Sequence, residues 1–251
     1  MINERIAPII FAHRGAKNAA PENTLSAFNL AIDMGADGIE LDTQLTVDGH
    51  VVVYHDKVAD RTTDGHGKIA ELKLAQLKEF DAGSHFSEKF RGEKIPTLDE
   101  TFETIGKRAY INVELKNFST PFDHLVEKVC DAVRRHAMQT NVLFSSFLPW
   151  DLKKAAQVLP EVPRGLLTIK GRWGVWGRSF GFSFGNYNAL HPHFHDITAQ
   201  EVARVHKLKR KINVWTVNEE ADLRRMINWG VDGIITDNPA LAVRVLRGVG
   251  K

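Results

Sequence analysis

Two acids, Glu40 and Asp42, lie two residues apart in the short stretch Gly38-Ile39-Glu40-Leu41-Asp42. Successive strand side chains point to opposite faces, so the two carboxylates share one face and Ile39 and Leu41 share the other. A strand inside a parallel sheet is ordinarily apolar on both faces, and an unpaired buried charge is very costly. The pair therefore calls for a partner. Arg or Lys beside a partly exposed strand is one solution. A hard divalent cation, Mg²⁺ or Ca²⁺, is the other, because its preferred donors are carboxylate oxygens. A third acid, Glu114, ends the stretch Tyr110-Ile111-Asn112-Val113-Glu114, with Lys116 two residues on. His13-Arg14 closes an earlier apolar run, Ile9 to Ala12, and His55-Asp56 closes Val51 to Tyr54. Three carboxylates, the cations Arg14 and Lys116, and the imidazoles of His13 and His55 suit in-line displacement at a phosphodiester. There a metal neutralises phosphoryl oxygens and the cations hold the phosphate. One imidazole activates the attacking oxygen while the other protonates the leaving alcohol. His124, His136 and His206 fall in helical stretches and read as ordinary, satisfied rings.

These residues need elements that bring them to one place. The acidic strand 38–42 follows a helical pattern that starts near Pro21-Glu22-Asn23-Thr24, with Asn23 expected as its N-cap. After an irregular stretch, 57–96, strand and helix patterns alternate regularly. Strands are predicted at 110–114, 142–145, 165–168, 189–191, 212–217 and 233–236. With 9–12 and 38–42 this makes eight strands, each followed by a helix-length segment. The expectation is an α/β protein, one (β/α)₈ barrel over residues 1–251 with 57–96 as an inserted subdomain after the second strand. A doubly wound open sheet is the alternative, but no Gly-rich phosphate fingerprint follows the first strand. In such a barrel the site lies at the C-terminal strand ends, and polar residues gather there: Ser145, His191, Trp215, Asn218 and Asp237 join those above.

The composition narrows the classes of function. Lys plus Arg number 33 against 31 for Asp plus Glu, a net charge of +2 that gives no case for nucleic acid. A single cysteine, Cys130, allows no internal disulfide and fits a reducing compartment, where it reads as a small core residue. The run Ile9 to Ala12 is too short for a signal-peptide core, and no stretch is long enough to span a bilayer. A cytoplasmic location is expected. The oligomeric state is left open, a homo-oligomer included.

Taken in order and at these separations, His13-Arg14-Gly15, Pro21-Glu22-Asn23-Thr24, Glu40-Leu41-Asp42, His55-Asp56, Glu114-Leu115-Lys116 and Trp215-Thr216-Val217-Asn218 resemble the motifs of the glycerophosphodiester phosphodiesterase family. The stretch Asp232 to Pro239 resembles the family's closing strand. Ala82-Gly83-Ser84 and Ile95-Pro96-Thr97-Leu98 resemble its pattern within and just after the insertion. The resemblance runs from about residue 9 to 247. It implies a TIM barrel that cleaves small glycerophosphodiesters into an alcohol and sn-glycerol 3-phosphate with one divalent cation, Mg²⁺ or Ca²⁺. It further implies His13 and His55 as the acid–base pair, and Glu40, Asp42 and Glu114 as metal ligands. Arg14 and Lys116 match phosphate-binding positions and Trp215 the aromatic beside the glycerol unit. Glu22, Asn23 and Asp56 match residues that orient the groups touching metal and substrate.

One segment departs from the family pattern. Residues 168–188 hold six aromatics and several glycines where an ordinary helix is expected. Trp173, Trp176, Phe180, Phe184 and Tyr187 recur at steps of three and four, which predicts a helix stripe packed on the barrel. The competing reading is an apolar wall at the mouth that accepts an acyl chain and extends the substrates to lysophospholipids. Three other functions compete with the main one. A zinc hydrolase could use His191, His193 and His195. A barrel could bind phosphodiesters without turnover, although this chain keeps every catalytic type. A phosphoinositide-cleaving lipase with a similar barrel is the third.

Overall fold

The computed structural model describes residues 7–118, 120 and 122–249; residues 1–6 and 250–251, the ends of the expected domain, lie outside these. Eight parallel strands surround a common axis: β1 (Ile9–His13), β2 (Gly38–Leu45), β4 (Tyr110–Leu115), β5 (Val142–Ser146), β6 (Arg164–Leu167), β7 (Ala189–His191), β8 (Lys211–Val214) and β9 (Gly233–Thr236). Each hydrogen-bonds to the next in this order, and β9 returns to β1, so the sheet closes on itself. The (β/α)₈ barrel expected from the alternation is the observed fold. The ninth strand, β3 (Val51–Val53), runs antiparallel along the far end of β2. Residues 51–53, left out of the eight-strand count, therefore extend the barrel sheet.

Register places the polar residues in levels. His13 is opposite Glu40, and Glu40 is opposite Asn112; one pleat further on, Asp42 is opposite Glu114, and Glu114 is opposite Ser145. The alternate residues Ile39, Leu41, Ile111 and Val113 point outward and are buried against Phe28, Phe102 and Val129 of the surrounding helices. A strand with acids on one face is stable here because its other face completes this layer.

The outer helices are α1 (Leu25–Asp33), α3 (Leu98–Ile105), α4 (Leu125–Arg135), α5 (Pro149–Val158), α7 (Ala199–Lys207), α8 (Glu220–Trp229) and α9 (Pro239–Val249). Thr97 caps α3, with Glu100 closing a reciprocal capping box. Thr24, not Asn23, caps α1: its extended backbone lets Oγ1 accept from the Ala27 amide at 3.2 Å. Asn23 instead adopts the left-handed region, φ 57°, which Asn tolerates better than most residues. This leaves its side chain free to reach the site.

Between β3 and α3 the chain makes three 3₁₀ turns and the short helix α2 (Leu74–Glu79). They gather around their own apolar cluster, Val52, Tyr54, Ala59, Ile69, Leu77 and Ile95. After β6, a helical segment of 3₁₀, π and α turns runs from Arg172 to α6 (Phe182–Phe184). The strand expected over 212–217 ends at Val214, beyond which the Trp215–Thr216 peptide is cis. Among the described residues no helix is long and apolar enough to cross a membrane. Cys130 is fully buried, and burial pushes its thiol up to about 12, as befits an inert core residue.

Candidate active site

The C-terminal strand ends enclose a cavity of about 170 Å³ lined by His13, Arg14, Glu40, His55, Asn112, Glu114, Lys116, Ser145, Phe147 and Trp215. A larger cavity, about 910 Å³, opens at the other end beside Phe11, Tyr110 and Lys211 and holds none of the candidate residues.

Glu40, Asp42 and Glu114 are buried, and one carboxylate oxygen from each lies within 4.8 Å of the others. The acids also meet cations, although the strand is buried. Arg14 Nε is 3.3 Å from Asp42, and Lys116 Nζ is 3.6 Å from Asp42 and 3.7 Å from Glu114. Two cations do not balance three acids. Burial, reinforced by the like charges of Asp42 and Glu114, raises Glu40 well above the carboxylate range. Burial also carries Glu114 up to about 7 despite Lys116. Asp42 ends low although burial opposes it, because Arg14, Lys116 and His55 favour its charge and Asn23 Nδ2 donates to it at 2.9 Å. Glu114 Oε1 is buried without a hydrogen-bond partner. Clustered, under-neutralised oxygens with an orphaned acceptor fit a hard divalent cation.

The two imidazoles share one device. His13 Nδ1 lies 2.6 Å from Asp237 Oδ1, and His55 Nδ1 lies 2.5 Å from Asp56 Oδ1. A carboxylate accepts only, so each Nδ1 carries a proton, and in the neutral ring Nε2 keeps its lone pair. His13 Nε2 is 3.9 Å from Glu40. Burial lowers both histidines from the ordinary value, against the opposing pull of Asp237 on His13 and of Asp42 on His55.

Backbone conformation aims the cation. Arg14 is left-handed, φ 57°, an uncommon conformation for a residue with a long side chain. Gly15 follows at φ 84°, where a Cβ would lie 2.7 Å from the Ala27 backbone. The chain must therefore turn sharply over α1, which sends Arg14 back toward the acids. Glu22 fixes it, accepting from Arg14 Nη1 at 2.9 Å and from Arg61 Nη2 at 2.6 Å. Arg61 in turn donates Nε to Asp56 at 2.5 Å. Glu22 and Asp56 are each held down to about 2, with burial opposed by the Arg61 hydrogen bonds.

Trp215 lines the cavity, donates Nε1 to the His191 carbonyl at 2.8 Å and packs edge-on against Phe147 and His193. Every site residue expected from the sequence thus falls in the cavity or one contact away from it. Further contributors, Phe147 among them, were given no role. Arg61 and Lys17, 3.2 Å from Asp237, lie in irregular stretches without a spacing signal. Asn112 was legible, since it shares a strand face with Glu114. Asp237 stood on the expected rim, but only the fold shows that it meets His13.

Among the described residues, the remaining histidines fall in no group of three potential metal ligands. His191 is wholly buried beside Asn213 Nδ2 at 2.9 Å, and burial drops it to about 3. Among the described residues, the acidic trio alone groups three potential ligands. The aromatic stripe is also corrected. Trp173, Trp176, Phe180 and Phe184 are exposed, and none lines the cavity. Gly174, Arg178 and Phe182 form the packed side, because Arg178 is anchored at 3.2 Å to Asp196.

Comparison with known proteins identifies the family and agrees with the fold. The family model described as the glycerophosphoryl diester phosphodiesterase family matches residues 13–241. A glycerophosphodiester phosphodiesterase of Caldanaerobacter subterraneus is 40% identical over 243 residues, covering 96% of this chain and 99% of the relative. The structure of an Oleispira antarctica phosphodiesterase in complex with the product sn-glycerol-3-phosphate superposes with a TM-score of 0.86 at 32% identity, over 96% of this chain and 97% of that one. A glycerophosphodiester phosphodiesterase from Agrobacterium tumefaciens gives 0.83 at 28% identity, over 94% and 99%. A match spanning nearly the whole barrel, with the polar residues gathered at its C-terminal mouth, places the chain in the glycerophosphoryl diester phosphodiesterase family.

Proposed function

We propose that this site hydrolyses glycerophosphodiesters to an alcohol and sn-glycerol 3-phosphate, with His13 and His55 moving the protons and one divalent cation, Mg²⁺ or Ca²⁺, held by Glu40, Asp42 and Glu114. The observation that carries the reading is the pair of carboxylate-held imidazoles opening onto the cavity lined by Glu40 and Glu114, with Asp42 grouped beside them. The cation would act as a Lewis acid on the phosphoryl oxygens and neutralise their charge.

The chain's own groups do the rest. Arg14 and Lys116 face the same cavity and hold the phosphate as it gains charge. One imidazole, neutral, takes the proton of the attacking oxygen on Nε2, and the other, protonated on both nitrogens, gives its Nε2 proton to the leaving alcohol. Asp237 and Asp56 accept from each Nδ1, which turns Nε2 toward the substrate, and their charge steadies whichever ring is the imidazolium. Trp215 and Phe147 give the cavity an apolar wall against which the glycerol carbons rest. Glu22, Asn23 and Arg61 hold Arg14, Asp42 and Asp56 in place. A panel of glycerophosphocholine, glycerophosphoethanolamine and bis-glycerophosphate, followed by enzymatic detection of sn-glycerol 3-phosphate, tests the reading. The product is expected from at least one diester, and release from none of them would contradict the proposed substrate class.

A further inference from the structure

The helical segment after β6 turns its apolar side outward. Gly174, Arg178 and Phe182 are buried at steps of four, and the Arg178 guanidinium holds Asp196 and the carbonyls of Ile169 and Gly171. The opposite side carries Trp173, Trp176, Phe180 and Phe184 with exposures of 83, 67, 64 and 85%. Phe180 and Phe184 stack on each other, ring centres 6.2 Å apart. Four large rings on one face of one element exceed the scattered apolar exposure ordinary on a surface. Trp150 and Phe122, on the segments that follow β5 and β4, are exposed as well.

Charge indicates what covers this face. Lys170 and Arg172 flank the first tryptophan, are exposed, and have no carboxylate partner among the described residues. No acid occurs anywhere between Glu161 and Asp196. A helical face of Trp and Phe bordered by cations is the pattern that enters the interfacial layer of a bilayer, with rings at headgroup depth and cations on anionic lipid. Two-fold pairing with a second copy would instead set the same cations against their own equivalents, with no acid in the segment to balance them.

We propose that the face of Trp173, Trp176, Phe180 and Phe184, flanked by Lys170 and Arg172, docks on a lipid bilayer that carries anionic headgroups. The segment starts at the C-terminal end of β6, so docking holds the barrel mouth beside the lipid surface. The inference does not depend on the proposed reaction, because vesicle binding is measured without turnover.

Sedimentation of the intact protein with sucrose-loaded vesicles, of phosphatidylcholine alone or mixed with phosphatidylglycerol, tests it. Binding to the anionic vesicles is expected to exceed binding to the neutral ones by on the order of tenfold and to weaken with salt. The double variant Trp173→Ser/Trp176→Ser should lose on the order of tenfold in binding, and Lys170→Glu/Arg172→Glu should abolish the anionic preference. Both should retain the far-UV circular dichroism of the wild type and its turnover of water-soluble glycerophosphodiesters. Failure of the wild type to bind anionic vesicles, or equal binding by both variants, would overturn the proposal. So would a concentration-dependent dimer, seen by light scattering and dissolved by the tryptophan variant, which would assign the face to a second copy.

Discussion

His191 offers a sharp test of the barrel interior. Its ring is wholly buried, and burial alone drops its pKa to about 3. The unfolded chain takes up this proton near the ordinary ~6.5. Between those values the unfolded state holds one proton more than the folded state, so stability rises with pH through the window and is lost as pH falls. Each pH unit is worth about 1.4 kcal/mol, so acidifying from near 7 to near 5 should cost about 2 kcal/mol through this residue alone. His191→Gln removes the titration while keeping an acceptor for Asn213. Urea unfolding of both proteins with chelator present, followed by circular dichroism near pH 7, 6 and 5, reads the difference. The wild type should lose about 2 kcal/mol more than the variant over that range. Parallel curves, agreeing within about 0.5 kcal/mol, would show that the ring charges inside the fold and would refute the burial argument.

Replacing His13 or His55 with Ala should cut turnover by about 10²–10⁴-fold each, and the double variant by less than the product, since both act on one displacement; near-wild-type turnover in either single variant would remove that residue from the mechanism. Asp237→Asn should lower kcat through a misheld His13 and leave the metal content unchanged, whereas unchanged kcat would reduce the 2.6 Å contact to a structural one. Trp215→Ala should raise KM or loosen selectivity for glycerol with metal content constant; a variant that loses stability while keeping its KM would make this residue part of the core.

What the sequence revealed and what it concealed follow from how each signal arises. Period-two and period-3.6 patterns located the strands and most helices, because each strand's outward face must join the apolar layer that includes Ile39, Leu41 and Phe28. Glu40, Asp42 and Glu114 stood out because acids are anomalous in such strands. Pairings between distant loops left no such trace: Arg61 with Glu22, or Lys17 with Asp237, depends on how the loops fold over the barrel mouth. Asn23 and Thr24 compete as caps, and the choice was decided by a left-handed turn that only the folded chain displays. At 172–184, spacing found the stripe but not its direction. The buried Arg178 pairs with Asp196, 18 residues ahead, and that long-range contact sends the aromatics outward.

Phosphodiester cleavage is proposed to depend on a cation held by Glu40, Asp42 and Glu114. Release of sn-glycerol 3-phosphate from glycerophosphocholine, measured in excess chelator and again after Mg²⁺ or Ca²⁺ is restored, tests it most directly, with metal content followed by elemental analysis. Activity should vanish with the metal and return with it, and Glu114→Gln should bind metal weakly while unfolding like the wild type. Full turnover by a protein shown to be free of metal would contradict the account.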